Sequence, residues 1–243
     1  MRLGGALLLT VASAVATPWL TSAARGAAAT FDARATYLRD CASCHGAAGE
    51  GSPRAPRIDD AGAAYVDYEL SSGRMPIAVP AQQVRRRPPR YSPDQIRALV
   101  DYTSGLGHGG GPPVPSVDLR AASLQRGGEL FRLQCAACHA WAGDGGALLL
   151  REAPDLHEAT SAQIAEAIRA GPGTMPVFAR AALTDDDLAS VVAYVRYLRH
   201  PTDRGGNGLW HLGPLAEGAV AVVIGLGTLV LALQWIGERE PAP

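Results

Sequence analysis

Two five-residue stretches carry the chemistry of this chain: Cys41-Ala42-Ser43-Cys44-His45 and Cys135-Ala136-Ala137-Cys138-His139. Each reads C-x-x-C-H, the signature for covalent attachment of a c-type haem. Two cysteines three apart can bond to both vinyl groups of one porphyrin as thioethers, and the adjacent histidine then falls under the iron as proximal ligand. The two motifs use all four cysteines in the chain, so none is left for a disulfide or a reactive nucleophile. A redox dithiol would need a βαβ context, and the sequence offers none. A four-cysteine zinc site would have to gather two pairs 94 residues apart, leaving both histidines unexplained. The motifs predict two covalently bound haem c groups, held by Cys41 and Cys44 and by Cys135 and Cys138, with His45 and His139 on the irons.

The sixth iron position points to methionine. The chain has three: Met1, Met75 and Met175. Met75 lies 30 residues after His45 and Met175 lies 36 after His139, both in Gly/Pro loops: Gly73-Arg74-Met75-Pro76 and Gly171-Pro172-Gly173-Thr174-Met175-Pro176. A methionine used as core filler would sit on an apolar helical stripe. Met/His ligation raises the reduction potential, which suits electron transfer late in a respiratory chain. The alternative is a bis-histidine site using His157 or His108, which otherwise read as surface or capping residues. Pro56 and Pro154 follow the proximal histidines by 11 and 15 residues. A metal-bound histidine usually donates its other N–H to a carbonyl, which fixes its tautomer. The two prolines are candidates for that role, with plain turn prolines as the other reading.

The elements around these residues repeat. In residues 30–107, a helix over Phe31 to Arg39 leads into Cys41, a Gly/Pro/Ala-rich loop covers Gly46 to Asp60, and Ala61 to Ser72 forms a helix before Met75. Ser92 then caps a helix with Pro93 at its first position and Ile96, Leu99, Val100 and Thr103 at helical spacing. Residues 108–117 are a Gly/Pro linker, flexible in its first half and extended in its second. In residues 118–202, Leu124 to Leu133 leads into Cys135, and Ser161 to Ala170, capped by Ser161 or Thr160, precedes Met175. Thr184 caps the last helix, whose buried stripe is Leu188, Val191, Val192, Val195 and Leu198. Helix, C-x-x-C-H, loop, helix, Met, helix thus occurs twice, as an internal duplication. The run Val84-Arg85-Arg86-Arg87-Pro88-Pro89-Arg90 reads as a docking patch for an acidic partner, a contact with haem propionates, or a solvated loop.

The ends of the chain are apolar. Residues 1–29 carry Arg2, an apolar core and small residues, as in an export signal or an uncleaved N-terminal anchor, which places the haem motifs outside the cytoplasm. Residues 203–214 are a Gly-rich tether. Residues 215–237 are a transmembrane helix; Gly218 to Gly237 holds twenty residues without a formal charge, about 30 Å of helix. Gly218, Gly225 and Gly227 suggest close packing against a neighbouring helix, and Trp235 sits at the membrane interface. The tail, 238–243, falls in the cytoplasm. Net charge is −1, which implies no nucleic-acid partner, and every basic residue is arginine.

The signal segment, the two tandem haem motifs, the Gly205-Gly206-Asn207-Gly208 tether and the final helix entered through Leu212-Gly213-Pro214-Leu215-Ala216-Glu217-Gly218 have a family likeness. Together they resemble the dihaem cytochrome cc subunit of actinobacterial-type cytochrome bc complexes. The resemblance covers essentially the whole chain. It implies an all-α fold: two tandem class I cytochrome c-like domains plus a C-terminal transmembrane helix in the cell membrane. It implies a proline carbonyl on each proximal histidine, and Cys41, Cys44, His45 and Met75 with Cys135, Cys138, His139 and Met175 as the haem residues. It further implies a subunit that replaces both cytochrome c1 and the mobile cytochrome c. Such a subunit takes electrons from the Rieske iron–sulfur protein, beside cytochrome b, and passes them to the copper centre of a haem–copper oxidase.

Two other function classes stand beside this one. A dihaem peroxidase would need an open iron position, which two Met-Pro loops argue against. A dihaem electron-transfer subunit of another membrane oxidoreductase would share the haem sites, but a C-terminal anchor favours the cytochrome bc reading. Each domain has only about 80 residues, marginal for a stable core without its porphyrin. The haem-free chain is therefore expected to be largely unfolded. Limited proteolysis checks this, and compact resistant fragments from haem-free protein would contradict it.

Overall fold

The structure is a computed structural model that describes residues 31–81, 83–107, 109–149, 151–202 and 214–238. The segment 1–29, His108, all but the last residue of the 203–214 tether, and residues 239–243 of the tail lie outside the described residues.

Helix α1 (Ala33–Asp40) starts later than the sequence suggests, because the Asp32 carboxylate accepts from the Ala35 amide at 2.9 Å and so caps it. A single helical turn, α2 (Ala42–His45), continues from it through Cys41. Helix α3 (Ala63–Ser71) precedes Met75. Helix α4 (Pro93–Ser104) opens with a reciprocal capping box between Ser92 and Gln95 and buries Ile96, Leu99, Val100 and Thr103, the stripe expected from their spacing. The second domain repeats this order with α5 (Leu124–Gln134), α6 (Ala136–His139), α7 (Ser161–Ala170) and α8 (Asp185–Tyr197). Thr160, not Ser161, caps α7, and Thr184 caps α8 ahead of three acids in its first turn.

A two-stranded antiparallel hairpin, β1 (Gly146–Leu148) with β2 (Arg151–Ala153), has no sequence counterpart above. Three-residue strands are too short to show alternation, and the leucines beside them favour helix.

In each domain the helix leading into the cysteines crosses the last helix. Tyr37 of α1 tilts against Tyr102 of α4 at 5.4 Å, and Phe131 of α5 against Tyr194 of α8 at 5.6 Å. The second crossing is a close one. A Cβ on Gly127 would stand 2.0 Å from the Ser190 carbonyl oxygen, so only glycine lets the two backbones meet. Around the crossing Leu130, Phe131, Ile164, Ile168, Leu183, Leu188, Val191, Val192 and Val195 form one core.

Two loops differ from their sequence readings. The linker is laid on the first domain rather than free: the Ala64 amide donates to the Pro112 carbonyl at 3.1 Å, and Gly111 lies against Ala61. The arginine run joins the domains. Arg85 pairs with Glu152 at 2.7 Å, and Arg86 donates to Gln163 Oε1 at 2.9 Å and to the Glu158 carbonyl at 2.8 Å. Gln83 exchanges two hydrogen bonds with the Glu152 backbone. A charge run declares its sign, but partners 67 to 77 residues away are invisible in it.

Beneath this strap α3 packs on α7. Gln163 Nε2 donates to Ser71 Oγ at 3.1 Å. Glu166 is 1 % exposed, and its Oε2 has no hydrogen-bond partner. Burial, and then the facing Asp67 carboxylate, push its acid up to about 8. Asp67 and Tyr68 on α3 are also pushed up by burial, and Glu69 to about 7. The Glu166 acid is raised in the folded state from 4.5. Its contribution to stability is therefore full below that value and lost as pH rises towards about 8. We expect Glu166→Gln to flatten the fall in melting temperature between about pH 5 and pH 8. Thermal melts across that range check this; an unchanged slope would remove Glu166 as its source.

Candidate haem-binding sites

Each motif is one helical turn. The Cys44 and His45 amides donate to the Cys41 carbonyl at 3.1 and 3.0 Å, and the Cys138 and His139 amides to the Cys135 carbonyl at 3.1 and 2.9 Å. Residues i, i+3 and i+4 of a helix share a face, so both cysteines and the histidine of each motif lie on one side. The turn is hung from the preceding helix, the Cys41 amide donating to the Tyr37 carbonyl at 2.9 Å and the Cys135 amide to the Phe131 carbonyl at 2.8 Å. The buried Tyr37 hydroxyl donates to the Gly46 carbonyl at 2.8 Å, tying the end of the first turn back to α1.

Beyond each turn the chain doubles back. The Gly51 amide reaches the His45 carbonyl at 2.7 Å and the Gly145 amide the His139 carbonyl at 3.0 Å. The Ile58 amide donates to Gly49 at 2.8 Å and the Leu156 amide to Gly143 at 2.9 Å. These closures bring a proline to each imidazole: His45 Nδ1 is 2.8 Å from the Pro56 carbonyl oxygen and His139 Nδ1 is 3.0 Å from that of Pro154. A carbonyl only accepts, so Nδ1 carries the proton and Nε2 keeps its lone pair for a metal. Burial lowers the pKa of His139, which favours the same neutral ring.

The four thiols stand free among the described residues. Burial pushes those of Cys41 and Cys135 up to about 11. In the second domain an apolar crevice is lined by Leu130, Gln134, Cys135, Ile168, Phe178, Leu183 and Val191. Met175 and Cys135 both pack against the core beside it. The Met175 amide is turned back onto the Pro172 carbonyl at 3.1 Å, and the Met75 amide onto the Glu69 carbonyl at 3.0 Å. His157 is engaged elsewhere: its Nδ1 lies 2.8 Å from Asp155, whose carboxylate also accepts from its amide. A soft sulfur, a neutral imidazole, paired thiols and an apolar crevice are the donors and walls that a covalently attached haem needs, so the residues fit that group.

Comparison with known proteins extends the reading beyond the sites. The family model described as Cytochrome c matches residues 23–106, and that described as Cytochrome C oxidase, cbb3-type, subunit III matches residues 122–195. A protein of Mycobacterium leprae named cytochrome bc1 complex cytochrome c subunit is 40% identical over 209 residues, covering 82% of this chain and 72% of its own. Its namesake in Mycobacterium tuberculosis (strain ATCC 25618 / H37Rv) is 34% identical over 259 residues, covering 98% and 92%. The chain belongs to this family. Its members' counterpart in Corynebacterium diphtheriae is 35% identical, covering 82% of this chain and 77% of its own. The protein is thus an electron-transfer cytochrome c subunit with two cytochrome c-type domains, which imply covalently bound haem c. Its described C-terminal helix is long and apolar enough to cross a membrane over Leu215–Gly237, 23 residues, with none of it covered by the rest of the chain. That helix comprises α9 (Pro214–Val220), π-helical turns over Ala221–Leu226, and α10 (Gly227–Gly237).

Two features of the sites escape the sequence. The C-x-x-C-H spacing does not announce that its last residues close a helical turn. Nor does it mark the next backbone position, which has positive φ in both copies: Gly46 at 83° and Ala140 at 60°. The glycine accepts this at no steric cost; the alanine does not. We expect Ala140→Gly to raise the stability of the haem-loaded chain by about 1 kcal/mol in denaturant unfolding, with no gain if the turn is relaxed.

Proposed function

We propose that this chain is a membrane-anchored dihaem cytochrome that carries electrons from the Rieske protein of a quinol-oxidising cytochrome bc complex to a haem–copper terminal oxidase. One observation carries the haem part: the same bond from a C-x-x-C-H histidine to a proline carbonyl is built twice in one chain, at 2.8 and 3.0 Å. When bound, haem c supplies reversible one-electron transfer at iron. Cys41 with Cys44, and Cys135 with Cys138, anchor the two groups. His45 and His139 offer Nε2, with Pro56 and Pro154 fixing their tautomers. Met75 and Met175 offer the sixth ligands, whose thioether sulfur favours the reduced state and so a high potential. Leu130, Ile168, Phe178, Leu183 and Val191 keep water from the second site.

The named relatives, all cytochrome bc1 subunits, support Rieske and cytochrome b neighbours for this chain. The final helix supports an anchor, and the export signal read in residues 1–29 supports both domains lying outside the cytoplasm. On that helix nothing lies within 4 Å of where a Cβ on Gly218, Gly225 or Gly227 would point, so each of these glycines leaves room for the close approach of a helix of another subunit.

A pyridine haemochrome spectrum of the chain purified with its partners from native membranes in mild detergent tests the proposal. We expect two haem c per chain together with haems b and a. Haem c alone would leave the dihaem carrier without this partner set, and no haem c would overturn the reading.

A further inference from the structure

Arg169, in the last turn of α7, is 6 % exposed, and among the described residues it is the one arginine in the buried class. A buried guanidinium is costly unless its donors are met, and here the partners that meet them define a purpose. Nη1 donates to the Phe178 carbonyl at 2.9 Å and to the Leu183 carbonyl at 2.7 Å. Nη2 donates to the Thr184 carbonyl at 3.3 Å and to Asp185 Oδ1 at 2.7 Å. Three of the four acceptors lie on the loop that leaves α7, carries Met175 and returns to α8, and the fourth, Asp185, is the first residue of α8.

The loop is gripped on both sides of its turn. The Phe178 amide donates to the Ile168 carbonyl at 3.0 Å, so consecutive α7 residues hold both polar groups of Phe178. Gly171 ends α7 in the left-handed region at φ 63°, and a Cβ there would stand 2.8 Å from the Met175 carbonyl oxygen. The loop thus folds straight back over the end of α7. Phe178 and Leu183, both held by Arg169, also line the crevice that contains Cys135. Among the described residues the first domain has no such device. The last turn of α3 has no basic residue, and Arg74 lies instead over the Tyr68 ring at 4.8 Å.

We propose that Arg169 is a positioning residue that keeps the Met175 sulfur on the iron of the second domain, by tying the outgoing and returning limbs of its loop to α7. This rests on Met175 being that iron's ligand. The Thr184 carbonyl also accepts from the Leu188 amide at 2.9 Å, so what goes with the guanidinium is the hold on the Phe178 and Leu183 carbonyls and the Asp185 carboxylate, a buried charge-assisted anchor for the loop. The Met75 loop, held without such an arginine, is the internal control.

The test uses the complete chain with both haems, purified in mild detergent. It follows the weak far-red absorption band that reports methionine sulfur on ferric haem, and the uptake of carbon monoxide by the ferrous protein. Met175→Ala is expected to remove the second domain's share of the band; an unchanged band would overturn the ligand assignment and the inference with it. With that share identified, Arg169→Gln is expected to lower the pH at which it is lost by about one unit, a tenfold change in the loop equilibrium. It should also speed carbon monoxide uptake at that haem about tenfold. The first domain's share should not move. A role confined to holding α7 and α8 together would lower the melting temperature but leave the band, its pH midpoint and the uptake unchanged, and that result overturns the proposal. Should Arg169→Gln fail to fold, Asp185→Asn removes the ionic partner, which Arg180 also meets at 3.2 Å, and Arg180→Gln measures that second pairing alone; Asp185→Asn is expected to shift the midpoint the same way as Arg169→Gln by less, and no shift beyond that of Arg180→Gln would be equally decisive.

Discussion

The close crossing of α5 and α8 is the contact from which the second haem site hangs. One end of α5 delivers Cys135, and the start of α8 receives the loop that carries Met175. Where the two helices meet at Gly127 and Ser190, there is no room for a side chain. Phe131 fills the space one turn on, against Tyr194, and its carbonyl holds the Cys135 amide. A shift of either helix along the other would therefore misplace the cysteines and the loop together. The first domain uses the same plan with Tyr37 and Tyr102. There the Tyr37 hydroxyl adds a hydrogen bond to the end of the motif that the phenylalanine cannot make.

Much of this was legible in the residues. The C-x-x-C-H pairs, the caps Ser92 and Thr184, and the stripe of α8 from Leu188 to Val195 are local signals, and local signals suffice to place helices. Pro56 and Pro154 differ in their spacing from the histidines, 11 against 15 residues, so the sequence left them equally readable as partners of the imidazoles or as plain turn prolines. What could not be read depends on partners far along the chain. Arg169 looks like an ordinary basic residue closing a helix, because its burial is decided by Phe178, Leu183 and Asp185 folding over it. The run from Arg85 to Arg87 looks like a solvated or docking loop, because Glu152, Glu158 and Gln163 belong to the other copy.

The two copies meet through side chains that also serve their own domains. Gln163 completes the capping box of α7 and also meets Arg86 and Ser71 from the first domain. One side chain thus serves local helix formation and interdomain contact at once. Beside it the buried Glu166 faces Asp67, an arrangement of two acids that would be unfavourable if both were ionised. The interface is a mixture of polar strap and buried carboxyl groups rather than a continuous apolar seam. Interfaces of that kind come apart more readily than hydrophobic ones.

That strap has a consequence for the rate at which charge crosses the molecule. Tunnelling probability between two redox centres falls exponentially with the gap separating them, so a small change in gap outweighs most changes in driving force. The strap from Gln83 to Arg86, with α3 packed on α7 beneath it, joins the two domains that carry the C-x-x-C-H turns. Two of the strap's contacts, Arg85 with Glu152 and Arg86 with Glu158, are ion pairs at the surface, so dissolved ions compete with them directly. In the proposed dihaem carrier, the rate of transfer between the two centres would thereby depend on the salt around the protein.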